Sequence, residues 1–286
     1  MFRINTNVAA LVAQRNISQL GSEINTRLER LSSGLRINRA ADDPAGLTAS
    51  ETFVAQIAGQ RAAMENVNRA VALIQTAESG LDQLGDIYVR LKELAIQAAD
   101  GTISNDARTQ ISEEATQLVN EVIRIVKATQ FNSLTLLETS GTNNFTLYVG
   151  DGSAGTSNET LLLSYGGVIV NTSGIGTING TAIKLTLSFY GSATAAAELA
   201  AVAESAVTEI AEVRAQLGAF QRRLESAQNN LATAMTSAQS SLSAIRDADF
   251  ATETAALTRA QVLAQAGIAA LSQANLIPAN VLALLG

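Results

Sequence analysis

Between residues 204 and 245 apolar side chains return at every third or fourth position: Ala206, Ile210, Val213, Leu217, Phe220, Leu224, Ala227, Leu231, Ala234, Ala238, Leu242 and Ile245. A repeat of that period draws one stripe along a helix and requires a second apolar stripe to cover it. No proline breaks the run, and its single glycine, Gly218, lies beside the seam position Leu217. The spacing predicts one continuous helix from about Ala197 to Ile245, roughly 70 Å long at 1.5 Å per residue.

The stripe that could cover it lies in the N-terminal half. Met64, Val67, Val71, Ile74, Ala77, Leu81, Leu84, Tyr88, Leu91, Ala95 and Ala98 step by three or four, after the start signal Asp42-Asp43-Pro44 and before the stop Asp100-Gly101. A third helix is expected from Ser104 to Ala128, carrying Ile111, Leu118, Val122 and Ile125. These patterns predict a mainly α chain: a long antiparallel helical bundle or coiled-coil rod. From residue 139 to 197 charge nearly vanishes and glycine becomes frequent. There Phe145 to Val149, Leu161 to Tyr165, Val168 to Val170 and Ile183 to Tyr190 read as short strands, separated by turns such as Gly150-Asp151-Gly152 and Asn179-Gly180. The expected division is terminal helices at 1–40 plus 247–286, a helical rod domain at 41–138 plus 198–246, and a β-rich insert at 139–197.

Weaker stripes mark the two ends. Ala10, Ala13, Ile17, Leu20, Ile24, Leu28, Leu31 and Leu35 form one; Leu257, Ala260, Ala264, Gly267, Leu271 and Ala274 form the other, small enough for close helix approach. Neither carries enough large side chains to offset roughly 1–2 kcal/mol of backbone entropy per residue. The ends are therefore expected to be mobile in the free chain and to become helical in an assembly, with Ile17, Leu20, Ile24, Leu28 and Leu31 as the N-terminal assembly seam and the Leu257-to-Ala274 stripe as the C-terminal one.

Chemistry is bounded by what the sequence omits. Without His or Cys the chain lacks Ser-His-Asp and Cys-His catalysis, His- and thiolate-ligated metal sites, and disulfides. Its lysines are Lys92, Lys127 and Lys184 alone. No catalytic residue, metal site or cofactor is expected. Asp42-Asp43 and Asp247-Ala248-Asp249 pair carboxylates as a cation site would, but helix N-terminal acids explain the first more simply. A net charge of −7, with arginines scattered among acids, argues against a nucleic-acid partner. No window approaches the roughly 18 apolar residues of a membrane span, and residues 1–7 lack a secretory apolar core.

Three stretches resemble one family, bacterial flagellin. Leu31-Ser32-Ser33-Gly34-Leu35-Arg36-Ile37-Asn38 followed by Ala41-Asp42-Asp43-Pro44-Ala45-Gly46 is similar to its N-terminal signature. Ile245-Arg246-Asp247-Ala248-Asp249-Phe250 is similar to its C-terminal one, and Gln273 to Leu285 to its tail. The resemblance covers roughly residues 1–138 and 204–286. It implies a non-enzymatic, self-polymerising subunit of the extracellular flagellar filament, a short form without large outer domains, used for swimming motility. It further implies unfolded passage through the flagellar type III apparatus, an export chaperone, and contacts with cap and hook-filament junction proteins. Terminal helices of neighbouring subunits would then pair in the filament core. The stretch Tyr88 to Gln97 looks like the segment bound by animal Toll-like receptors in many flagellins, which would place Arg90, Leu94 and Glu114 in a receptor epitope. The rival readings are a hook-filament junction protein of the same system and a monomeric coiled-coil adhesin or receptor ligand.

Overall fold

The computed structural model describes residues 7–137, 142–150, 160–166, 168–170, 175–178, 181–184 and 193–285. In chain order the described elements are α1 (Val8–Ser33), α2 (Pro44–Ala99), α3 (Asn105–Ala128), β1 (Gln130–Phe131), β2 (Leu134–Thr135), β3 (Thr142–Tyr148), β4 (Thr160–Gly166), β5 (Val168–Val170), β6 (Ile175–Ile178), β7 (Thr181–Lys184), α4 (Ala193–Arg246) and α5 (Phe250–Leu285). Two compact units are distinguished: Met1–Ile57 with Thr236–Gly286, and Ala58–Met235. The first turns of α2 and the last of α4 thus group with the terminal helices, a larger share of the chain than 1–40 plus 247–286.

Helix ends follow the local chemistry. Proline opens α2, where its missing N–H costs nothing, and Asp43 Oδ1 accepts the Gly46 amide at 2.9 Å. At the other end Asp100 Oδ1 accepts the Thr102 amide, while Arg108 of α3 donates to the terminal carbonyls of Ala98 and Asp100 at 3.0 and 3.2 Å. Ser104 is the N-cap of α3, its Oγ accepting from the Ala107 amide.

The core of the Ala58–Met235 unit is the pair of predicted seams, closed by α3. Val67, Ile74, Ala77, Leu81, Leu84, Tyr88 and Leu91 of α2 are buried with Ala206, Ile210, Val213, Leu217 and Leu224 of α4 and with Val119, Val122, Ile125 and Val126 of α3. At about 1.5–3 kcal/mol for each large side chain removed from water, this shared core is what holds three long helices together. The α4 seam thins toward its C-terminal end, where Leu231 is half-buried and Ala234 is exposed.

The strands cover one region of this core. β3 and β4 pair antiparallel with Phe145 opposite Leu163 and Leu147 opposite Leu161. Alternation therefore turns Phe145, Leu147, Leu161, Leu163 and Tyr165 to one face, where Leu163 and Tyr165 are buried and Tyr165 donates its hydroxyl to the Leu136 carbonyl. β5, β6 and β7 form a separate antiparallel sheet. Sequence reading placed β3 to β5 but missed β6 and the β1–β2 hairpin. Of the strand expected over Ile183 to Tyr190 only Thr181–Lys184 is observed, since 185–190 lie outside the described residues, as do 151, 152, 179 and 180 of the expected turns.

The β1–β2 hairpin was hidden because its turn lacks glycine. Asn132 and Ser133 have φ of 50° and 66°, the two left-handed residues of a type I′ turn, for which Asn-Gly is the favoured pair. Serine is strained there by roughly 1–2 kcal/mol. Replacing Ser133 by Gly is expected to raise the melting temperature by about 1–3 °C, after the added unfolded-chain entropy of glycine is subtracted. A thermal melt that falls instead would contradict this turn.

Candidate assembly interface

The terminal helices begin and end on defined caps. Asn7 Oδ1 accepts the Ala10 amide at 3.0 Å, and α1 stops at Gly34, whose φ of 72° only glycine adopts without strain. Immediately beyond, the chain is clipped to the α4–α5 turn. The Arg36 amide donates to the Arg246 carbonyl at 2.7 Å and the Ala248 amide to the Gly34 carbonyl at 3.0 Å, bracketing an antiparallel bridge between Leu35 and Asp247. Both signature motifs quoted above meet in this clip. Asp249 caps α5, accepting from the Thr252 hydroxyl and the Ala251 amide, whereas Asp42 ties the turn before α2 by accepting the Asn38 and Arg39 amides. These hydrogen bonds hold the carboxyls of Asp42 and Asp249 below their ordinary range. Among the described residues no cluster of acids is arranged to hold a metal.

From the clip, α1 and α5 run antiparallel against each other. Three contacts fix their alignment. Asn7 Nδ2 donates to the Ala274 carbonyl at 2.8 Å. Gly267 gives Ile17 room, since a Cβ there would lie 3.1 Å from Ile17 Cγ1. Arg27 and Arg30 donate to Glu253 at 2.7 and 3.3 Å. Glu253 is only 7% exposed. Burial pushes its carboxyl up, but the two guanidinium groups outweigh that and hold it below its ordinary value.

Both predicted stripes are used in this contact. Ile17, Leu20, Ile24 and Leu31 are half-buried, Ala260 is buried, and Leu257, Ala264, Gly267, Leu271 and Ala274 are half-buried; Leu28 departs from the expected seam at 48% exposed. Within this one chain each narrow stripe is covered by the other. What remains uncovered is a different set. Val8, Leu11 and Val12 on α1, lying across the helix from Ile17, and Phe250, Val262, Leu263, Ile268 and Leu276 on α5 are all exposed. A helix apolar on more than one face needs more than one partner. Sequence reading missed these residues because a period search keeps one stripe and treats apolar side chains off it as scatter. None of the described helices is long and apolar enough to cross a membrane.

The residues of the implied receptor epitope lie on the other unit and differ in exposure. Arg90 pairs with Glu114 at 2.8 Å and with Glu93 at 3.0 Å, all exposed. Leu94 is 2% exposed and belongs to the core.

Comparison with known proteins covers both ends and the whole length. The bacterial flagellin N-terminal helical region matches residues 4–142, and the bacterial flagellin C-terminal helical region matches 200–285. The chain is 36% identical to the flagellar filament 30.7 kDa core protein of Treponema maltophilum, covering 99% of each. It is 38% identical to a flagellin of Halalkalibacterium halodurans, again over 99% of each. A crystal structure of Bacillus cereus flagellin aligns with 58% of this chain and 88% of its own, at 24% identity and a TM-score of 0.45. Two terminal regions matched in the family's order, with full-length relatives above a third identical, place the chain in the bacterial flagellin family.

Proposed function

We infer that this chain is a structural subunit that polymerises with copies of itself into the flagellar filament, outside the cell, and that it serves motility and not catalysis. Membership of the family supports this directly. We propose further that the α1–α5 pair carries the contacts between subunits. The observation behind that reading is the second apolar surface: after Ile17, Leu20, Ile24, Leu31 and the Leu257-to-Ala274 stripe are used within the chain, Val8, Leu11, Val12, Val262, Leu263, Ile268 and Leu276 still face water. A contact between that surface and a different face of the next subunit is heterologous and propagates as a helical fibre.

The export chaperone, the cap and hook-filament junction proteins, and passage through the type III apparatus belong to the same proposal; the absence of cysteine suits a chain that travels unfolded. A Toll-like receptor, if it reads this subunit, would touch the exposed Arg90–Glu114 pair, with Leu94 shaping the helix beneath it. The direct test is seeded growth. Purified chain added to sheared filament fragments is expected to lengthen them under the electron microscope, and chain that stays monomeric in the pellet assay at high concentration overturns the polymer reading.

A further inference from the structure

Left-handed backbone outside glycine occurs at one place among the described residues. Asn132 and Ser133, the turn of the β1–β2 hairpin, have φ of 50° and 66°, and both are exposed. The register pairs Phe131 with Leu134, so the Ser133 amide stands outside the ladder. Neither that amide nor the Asn132 side chain has a hydrogen-bond partner among the described residues.

An asparagine followed by a small residue holds both parts of an intramolecular reaction. The Ser133 backbone nitrogen attacks Asn132 Cγ, a five-membered succinimide closes, and ammonia leaves. Water then opens the ring. Addition at the side-chain carbonyl leaves aspartate; addition at the main-chain carbonyl leaves isoaspartate, in which the chain runs through Cβ and Cγ and is one methylene longer. One ammonia is lost for each water consumed, and a neutral amide becomes a carboxylate.

Elsewhere the structure holds this reaction back. Asn120 is exposed but lies inside α3, where the Glu121 amide is committed to the helix ladder, so attack there requires local unfolding. Asn38 has its side chain tied to Ser33 and to the Glu29 carbonyl. At Asn132 nothing is tied, and strain at Ser133 lowers the cost of the brief opening that attack requires. Isoaspartate also relieves that strain, because the lengthened chain no longer forces Ser133 into the left-handed region.

Independently of the filament reading, we propose that Asn132 is a site of spontaneous modification, with the strained turn directing it toward isoaspartate. The consequence falls on the hairpin. A two-residue turn does not accommodate the longer chain. This turn helps to hold Phe131 against the core, the Leu136 amide on the Thr129 carbonyl at 3.1 Å, and Thr129 in the notch left by Gly80, where a Cβ would lie 2.7 Å from Thr129 Oγ1. Age thus enters the fold through this hairpin, with one more negative charge at its tip.

The test follows the full chain at mildly alkaline pH, folded and in urea. Trypsin with a glutamate-specific protease releases residues 128–138, in which Asn132 is the lone asparagine, and residues 115–121, in which Asn120 is. Asn179-Gly180, outside the described residues, falls in another peptide. Conversion is read by mass as the exchange of an amide for an acid. Folding is expected to slow Asn120 at least about tenfold, and Asn132 by less than about threefold. The same peptide from an Asn132→Asp chain marks where the aspartate product elutes, and most of the converted wild-type peptide is expected to elute apart from it. Protection of Asn132 as strong as that of Asn120 overturns the inference, and so does a product that elutes wholly with the aspartate standard.

Discussion

A chain lacking residues 1–35 is expected to show no seeded elongation at all, at least a hundredfold below the full chain, while the Ala58–Met235 unit melts as before. The deletion removes α1, and with it the cover for Leu257, Ala260, Ala264 and Leu271 and the partners of Glu253. An uncovered α5 with a bare buried-type carboxylate does not keep its surface. The core of the other unit draws only on residues between Val67 and Leu231, so the deletion removes none of it. Circular dichroism should therefore record a loss bounded by the helical signal of α1 and α5, which hold 26 and 36 residues. Collapse of most of the helicity, or elongation near the full-chain rate, would refute this division of labour.

Leu94→Asp should be nearly as severe, for a different reason. Leu94 sits in the shared core of α2, α3 and α4, and an aspartate there buries a charge with no cation to meet it. Such changes belong to the group that costs more than about 4–5 kcal/mol, against a total stability of about 5–15 kcal/mol for a domain. The expected outcome is a fall in melting temperature of about 10 °C or more. Arg90→Ala and Glu114→Ala break only an exposed ion pair, worth about 0–1 kcal/mol, and leave the melt almost unmoved. They are the variants that would separate the proposed receptor recognition from folding. A Leu94→Asp chain that melts like the wild type would show that this side chain is not in the core.

The α2 seam was legible because burial there follows one period: every seam position from Val67 to Ala98 is buried or half-buried, and on α4 the exposed Ala234 is the departure. The caps were legible for similar reasons, since Asp43-Pro44, Ser104 and Asp100 act through neighbours a few residues away. The interface was less legible. Spacing marked the stripes that α1 and α5 turn toward each other, Leu28 excepted, but could not say which chain supplies the partner, because a narrow stripe is covered equally well by a copy or by the same molecule's other end. Nor could it reveal Arg27, Arg30 and Glu253 as a unit: their pairing spans more than two hundred positions and appears only once the helices are aligned antiparallel. The β1–β2 turn escaped because Asn132-Ser133 carries none of the usual glycine signal.

Gly34 has a consequence at a much larger scale than its own turn. The helix that it ends is 26 residues long, about 39 Å at 1.5 Å per residue, and its direction is set by a single φ of 72°, by the Arg36–Arg246 and Ala248–Gly34 backbone bonds and by its packing along α5. Tilting that helix by one degree moves its tip by about 0.7 Å. On the filament reading every copy would repeat the same tilt, so a small change at this turn would accumulate along the fibre.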